Sequence, residues 1–139
     1  MERINKADFR LMLVDDDPND LFFTKLALER AKFPPPYHIC HDGVYATEFL
    51  SSIESTPDLW PHLIVMDLKM PRMSGDEALE WLRANPFYHN MPVIILTSSD
   101  EVSDYKKTNR LGVLRFLTKE VRCDNLIAAL NRFLAVSLL

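Results

Sequence analysis

Asp15, Asp16, Asp67, Thr97 and Lys119 are side chains that could together handle a phosphoryl group, provided that the fold brings them to one place. Crowded carboxylates repel and raise one another's pKa values unless a cation lies between them, and hard oxygen ligands at that density suit Mg²⁺. Such a metal can bridge a carboxylate and a phosphoryl oxygen, while an ammonium and a hydroxyl serve the remaining oxygens. Two chemistries would use this set. Either a phosphomonoester or ATP is bound as substrate, or Asp67 itself accepts the phosphoryl group and becomes an acyl phosphate. Taken singly the residues say less: Asp67 could close a strand by bonding to its own turn, Thr97 could cap a strand end, and Lys119 could be a solvated surface lysine.

The elements that must position them can be read from the apolar runs. His62-Leu63-Ile64-Val65-Met66, rich in Ile and Val, reads as a strand buried on both faces that delivers Asp67 to its C-terminal end. Phe9–Val14 reads as a first strand stopped by Asp15-Asp16-Asp17-Pro18. Asp17 has the grammar of a helix N-cap, with Pro18 at the first helical position and Asp20 in the first turn. The helix that follows places Leu21, Lys25, Leu28 and Phe22, Leu26 at helical spacing and ends before Pro34-Pro35-Pro36. Further strands are expected at Tyr37–His41, Val93–Leu96 and Val113–Leu117, and further helices at Val44–Ile53, Asp76–Ala84, about Glu101–Arg110 and Cys123–Leu134. Alternation of five strands with five helices through short connections favours one parallel sheet covered on both faces, an α/β doubly wound fold. In such a sheet the strand ends carrying Asp15 and Asp16, Asp67, Thr97 and Lys119 share one edge, where chemistry collects.

At 139 residues, 47% hydrophobic and 26% charged, the chain is expected to form a single domain, residues 1–139, with no separate output domain. A formal charge of −4 offers no basic footprint, so nucleic acid and anionic membranes are disfavoured as partners and a protein partner is favoured. No apolar stretch approaches the roughly 20 residues of a membrane span, and the first residues lack the core of a signal peptide, which together imply a cytoplasmic protein. Cys40 and Cys123 lie far apart, so neither a disulfide framework nor a zinc site is indicated. His38, Cys40 and His41 could suggest a metal, but strand neighbours alternate faces and the three cannot converge. There is no Gly-rich Walker loop, no G-x-G-x-x-G and only 3 glycines, which leaves a nucleotide cradle poorly supported. The serines after Thr97 lack the glycines of a nucleophile elbow.

Asp15-Asp16, Asp67 in Asp-Leu-Lys-Met-Pro-x-Met-x-Gly, Thr97 and Lys119 match, in order and spacing, the signature of the receiver domains of bacterial two-component response regulators, which this chain resembles over nearly its full length. The resemblance implies a flavodoxin-like sheet of strand order 2-1-3-4-5 with five helices. It also implies that Asp67 takes a phosphoryl group from a sensor histidine kinase or phosphotransfer protein. Asp16, Asp67 and the Lys69 carbonyl would bind Mg²⁺, with Asp15 acting through water. Thr97 and Lys119 would contact the phosphoryl oxygens, and Phe116, which could otherwise be plain core, stands at the family's aromatic switch position. Phosphorylation adds roughly −1.5 to −2 charge and three acceptors, enough to draw Thr97 inward and let Phe116 follow, so that the protein signals through changed contacts with a downstream target. The Asp-x-Pro-x-Asp entry to the first helix is similar to that of the short regulators that partner bacterial phytochromes.

Two departures from the family pattern stand out. Glu120 follows Lys119 where the family usually has proline, often through a cis bond, which questions the reach of Lys119. Lys69 and Ser99 stand two residues beyond Asp67 and Thr97, at positions that in the family modulate how water reaches the acyl phosphate, and Lys69 could shield it or pair with Glu101. The apolar end, Phe133 to Leu139, could complete the last helix's packing or form a homodimer contact. Two rival readings have their own requirements: a Mg²⁺-dependent aspartyl phosphotransferase or phosphatase would need a substrate-binding cap, and a degenerate receiver acting as a scaffold would need Glu120 to displace Lys119.

Overall fold

The computed structural model describes residues 4–98 and 102–136. Its elements run β1 (Leu11–Val14), α1 (Pro18–Arg30), β2 (His38–Cys40), α2 (Gly43–Ser52), β3 (Leu63–Met66), α3 (Gly75–Ala84), β4 (Val93–Thr97), α4 (Val102–Leu111), β5 (Arg115–Thr118) and α5 (Asp124–Val136). The apolar runs form a sheet of order β2-β1-β3-β4-β5, every pair parallel, as the resemblance implied. All residues of β1, β3 and β4 are buried, because helices cover both faces. Leu11, Leu13, Leu63, Val65, Ile94 and Leu96 pack with Leu21, Leu28, Leu126 and Leu130 on one side. Met12, Val14, Ile64, Met66, Val93 and Ile95 pack with Leu50, Ala78, Leu79 and Leu82 on the other. Strand periodicity of two thus fills two cores from one set of runs.

Register fixes where the polar strand ends fall. Val14 pairs with Met66 and Thr97 with Thr118, and the ladder continues one residue beyond each pair. The Asp67 N–H donates to the Val14 carbonyl (2.9 Å) and the Lys119 N–H to the Thr97 carbonyl (2.8 Å). Asp67 therefore follows directly beside Asp15, and Lys119 beside Thr97. Asp17 caps α1, its Oδ1 accepting the Asn19 and Asp20 N–H groups at 2.9 and 3.2 Å, the structural role its context predicts.

Several details depart from the sequence expectation. Of the residues at helical spacing in α1, Phe22 faces outward; it is 59% exposed and packs edge-to-face on Phe23, because the inward row of α1 is Leu21, Thr24, Ala27 and Leu28. β5 begins at Arg115 rather than Val113, after Gly112 turns the chain at φ +82°. Leu134 is buried and Phe133 half-buried against the α1–α5 core, so this part of the apolar end serves packing; Ser137–Leu139 lie outside the described residues. The connection from 85 to 91, read only as a helix stop, inserts Tyr88, whose hydroxyl donates to the Leu50 carbonyl at 2.5 Å.

His62 lies just before β3 rather than in it and extends the ladder with its ring. Its N–H donates to the Arg10 carbonyl (2.8 Å), while its Nδ1 accepts the Arg10 N–H (2.9 Å). That bond requires a neutral imidazole, and burial, then nearby Arg10, holds His62 below its ordinary value of 6.5. A histidine with a lowered folded pKa contributes stability above its unfolded pKa and loses it as pH falls. Stability should therefore drop as pH is lowered below about 6.5. In urea unfolding across pH, His62→Asn should flatten part of that slope, the remainder belonging to His38, which is lowered by burial in the same direction.

Candidate functional site

At the C-terminal edge of the sheet the carboxylates of Asp15, Asp16 and Asp67 each offer an oxygen within 4.8 Å of the others. Asp15 and Asp67 are buried, at 7% and 6% exposure, and Asp16 faces solvent. Burial of like charges is costly without compensation, and Lys119 provides it. Its Nζ lies 2.8 Å from Asp15 Oδ2, 2.8 Å from Asp67 Oδ2 and 2.6 Å from Asp20 Oδ2. Burial alone would depress the Lys119 pKa, but hydrogen bonds to Asp15, Asp20 and Asp67 carry it above its ordinary value, so the ammonium is charged. Asp15 is shifted upward because burial outweighs its bonds to Lys119 and the Asp17 N–H.

Asp67 is fixed from both sides. Its Oδ1 accepts the Leu68 N–H at 2.7 Å and the Lys69 N–H at 3.4 Å, and Oδ2 accepts from Lys119. The loop after it folds back tightly: the Gly75 N–H donates to the Leu68 carbonyl at 2.9 Å, and a Cβ on Gly75 would meet the Asp67 carbonyl oxygen at 2.1 Å. Gly43 plays a similar part from α2, where a Cβ would stand 2.6 Å from the Met73 carbonyl. Asp42, which caps α2, also accepts from Arg72 Nε at 2.7 Å and ties down the far side of the same loop.

Of the residues singled out from sequence, Thr97 is fully buried at the end of β4, its carbonyl anchoring the Lys119 backbone. Phe116 lies outside the carboxylate cluster; it is half-buried on β5 and meets Tyr105 of α4 edge-to-face, with ring centroids 5.5 Å apart. Lys69 pairs with Asp104 of α4 at 3.3 Å; Glu101 and Ser99 lie outside the described residues. The Lys119–Glu120 peptide is not among the cis bonds, and Lys119 reaches Asp67. Asp20 is the residue that sequence reasoning missed as part of this cluster. It was visible there as a first-turn acid of α1 and as the last position of the Asp-x-Pro-x-Asp pattern, and only the fold shows it facing Lys119.

The His38, Cys40, His41 trio makes no metal site. Cys40 is fully buried in the core and His38 stacks on Phe49, while burial, with Asp42 nearby, pushes the Cys40 thiol up to about 12, away from the thiolate a metal would need. Among the described residues the Asp15, Asp16, Asp67 group is the cluster suited to a cation. Its all-oxygen donor set fits a hard divalent ion. No helix among the described residues is long and apolar enough to cross a membrane.

The response regulator receiver domain model matches residues 11–131. The chain belongs to that family. It is thus a receiver domain of two-component phosphorelay signalling, a family of phosphoacceptor switches rather than conventional enzymes. Response regulator Rcp1 of Synechocystis is 31% identical over 112 residues, which cover 78% of this chain and 75% of Rcp1. The solved structure of the bacteriophytochrome response regulator RtBRR superposes with a TM-score of 0.76 at 34% identity, covering 88% of this chain and 76% of that one. The Mn²⁺-bound form of Rcp1 gives a TM-score of 0.74 at 28% identity, covering 90% and 91%. Other relatives are much longer: this chain spans 7% of a hybrid signal transduction histidine kinase from Dictyostelium discoideum and about half of several regulatory proteins.

The contact between Gly75 and the Asp67 backbone leaves no space for a methyl group. Gly75→Ala should lower stability by about 1–3 kcal/mol, as overpacking does, read as a fall in the urea midpoint at unchanged slope.

Proposed function

We propose that Asp67 is the phosphoacceptor of this receiver. The observation that carries the reading is the environment of its carboxylate: buried at a strand end, with Oδ1 held by two backbone N–H groups and Oδ2 by a charged lysine. A carboxylate so fixed cannot swing away and has a cation beside the place where negative charge will build up. In the proposed reaction a carboxylate oxygen of Asp67 attacks the phosphorus of a phosphohistidine. The phosphorus–nitrogen bond breaks, the leaving imidazole keeps its electron pair, and an acyl phosphate forms. Lys119 then transfers one N–H from Asp67 Oδ2 to a phosphoryl oxygen, and the Thr97 hydroxyl serves another. Asp15, Asp16, Asp67 and the Lys69 carbonyl would hold Mg²⁺, which neutralises phosphoryl charge when bound.

The donor on this reading is a sensor histidine kinase or a phosphotransfer protein. Similarity to the bacteriophytochrome response regulator RtBRR supports a phytochrome-linked kinase within that class, and a donor of that kind implies a cytoplasmic location. Output follows from altered contacts of Thr97 and Phe116 with the α4–β5 face and a downstream protein, and the acyl phosphate is lost by hydrolysis within the same domain. A scaffold without phosphotransfer would need Lys119 displaced by Glu120; instead Glu120 Oε1 turns toward the Asn125 N–H of α5 at 3.4 Å. A cap for a small substrate has no counterpart among the described elements.

Incubation with acetyl phosphate and Mg²⁺ should add one phosphoryl group, seen by intact-mass measurement. The adduct should be absent with chelator and absent in Asp67→Ala. A folded wild-type protein that gains no adduct from acetyl phosphate or from a phosphohistidine donor would refute the assignment.

A further inference from the structure

Asp20 is assigned no role by the reading above, yet it makes the shortest contact to the lysine of the site, 2.6 Å from Nζ. An ammonium has three N–H bonds, and here three carboxylates from three elements accept them: Asp15 beyond β1, Asp67 beyond β3 and Asp20 in the first turn of α1. Asp15 and Asp20 are both anchored. The Asp15 Oδ1 accepts the Asp17 N–H at 3.0 Å, and Asp20 stands on a helix whose start is fixed by the Asp17 cap.

Resting on Asp67 as acceptor, we propose that Asp20 is a positioning residue for phosphoryl transfer, holding the Lys119 ammonium over Asp67 so that its third N–H passes from the carboxylate to the incoming phosphoryl oxygen. Two fixed acceptors leave the ammonium one direction for that N–H, toward Asp67. With Asp15 alone, the Nζ would have one fixed partner and a choice of directions. The need for a second anchor has a local reason. Lys119 is followed by Glu120, which does not restrain the backbone as proline would, and the Glu120 side chain turns toward α5. Side-chain anchoring by Asp20 supplies the restraint that the loop lacks.

Asp20 lies outside the carboxylate group that could take a cation, so its removal should affect the transfer step and not metal binding. Asp17 still caps α1 when Asp20 is changed, which keeps the variants folded. With acetyl phosphate as donor, Asp20→Ala should lower the phosphorylation rate at saturating donor and Mg²⁺ by about tenfold, the lower end of what a hydrogen bond between charged groups contributes. The Mg²⁺ concentration for half-maximal rate should stay near the wild-type value. Asp20→Asn, which keeps an acceptor oxygen without the charge, should fall between. The hydrogen-bonded ¹H–¹⁵N signal of the Lys119 ammonium should weaken or shift in step with the rate. A wild-type rate in Asp20→Ala would overturn the proposal, and so would a lost rate with an unchanged Lys119 signal, which would mark Asp20 as a helix-start residue only. A shift confined to the Mg²⁺ dependence would overturn it by placing Asp20 with the metal ligands. Failure of the wild type to react would sink the acceptor assignment itself, an outcome distinct from all three.

Discussion

The arrangement at the sheet edge depends on one ammonium. Parallel pairing places Asp15 and Asp67 side by side because Val14 and Met66 are in register, and helices on both faces take those carboxylates out of water. Two neighbouring buried carboxylates would each favour the protonated form. Lys119 counters that effect at Asp15 without overcoming burial, and its own charge survives burial because three carboxylates share it. The interaction is mutual: the carboxylates keep the buried lysine charged, and the lysine offsets part of the cost of burying Asp15. It also ties β1, α1, β3 and the β5–α5 connection at a single atom, so the geometry of the site and the closure of that edge are one constraint. Three carboxylates, Asp15, Asp20 and Asp67, share this single ammonium, and with Asp16 beside Asp15 and Asp67 the pocket is anionic and suited to a further cation.

The legible part of this structure was whatever is written in periodicity and punctuation. Leu63–Met66 and Val93–Leu96 had one structural interpretation as short buried strands, and Asp17-Pro18 announced a helix start on local grounds. Once the strands were placed, the convergence of Asp15, Asp16, Asp67 and Lys119 followed from topology, since parallel strands present their C-terminal ends together. Asp20 was not legible as a partner of Lys119, because the two are ninety-nine residues apart and a first-turn acid already has a local explanation in the helix dipole. The outward direction of Phe22 was not legible for a related reason. Its spacing to Leu26 is helical, but the direction of the buried stripe is decided by α5 and the sheet, which local sequence does not specify. His62 completes a ladder with its ring, a tertiary use of an acceptor that no period of two or 3.6 encodes.

The second consequence of the topology lies at α4. Among its described side chains only Thr108 is fully buried, and the Thr108 hydroxyl turns back to the Asp104 and Tyr105 carbonyls of its own helix. Beside the packing of Leu111 on the core and of Tyr105 on Phe116, polar contacts join α4 to the rest: Lys69 to Asp104, Lys107 to Asp76 and Glu80 of α3, and Arg83 of α3 to the Leu111 and Gly112 carbonyls. Exposed ion pairs contribute up to about 1 kcal/mol each, far less than the apolar burial that fixes α1, α3 and α5. An element held in this way can be repositioned at low cost.

That weakness bears on the proposed switch, because one tie of α4 begins in the loop after Asp67. Lys69 is two residues from Asp67, and its N–H already points at the Asp67 carboxylate while its ammonium reaches α4. Phe116, through Tyr105, touches the same helix from β5. Charge added at Asp67 therefore acts next to one of the contacts that locate α4, the Lys69–Asp104 ion pair, whereas the strands carrying Asp67 and Thr97 are locked in a doubly covered sheet. Rigid strands concentrate any response to the new charge in the element least anchored by packing. A change at one buried carboxylate can thereby reach the α4–β5 surface without rearrangement of either core.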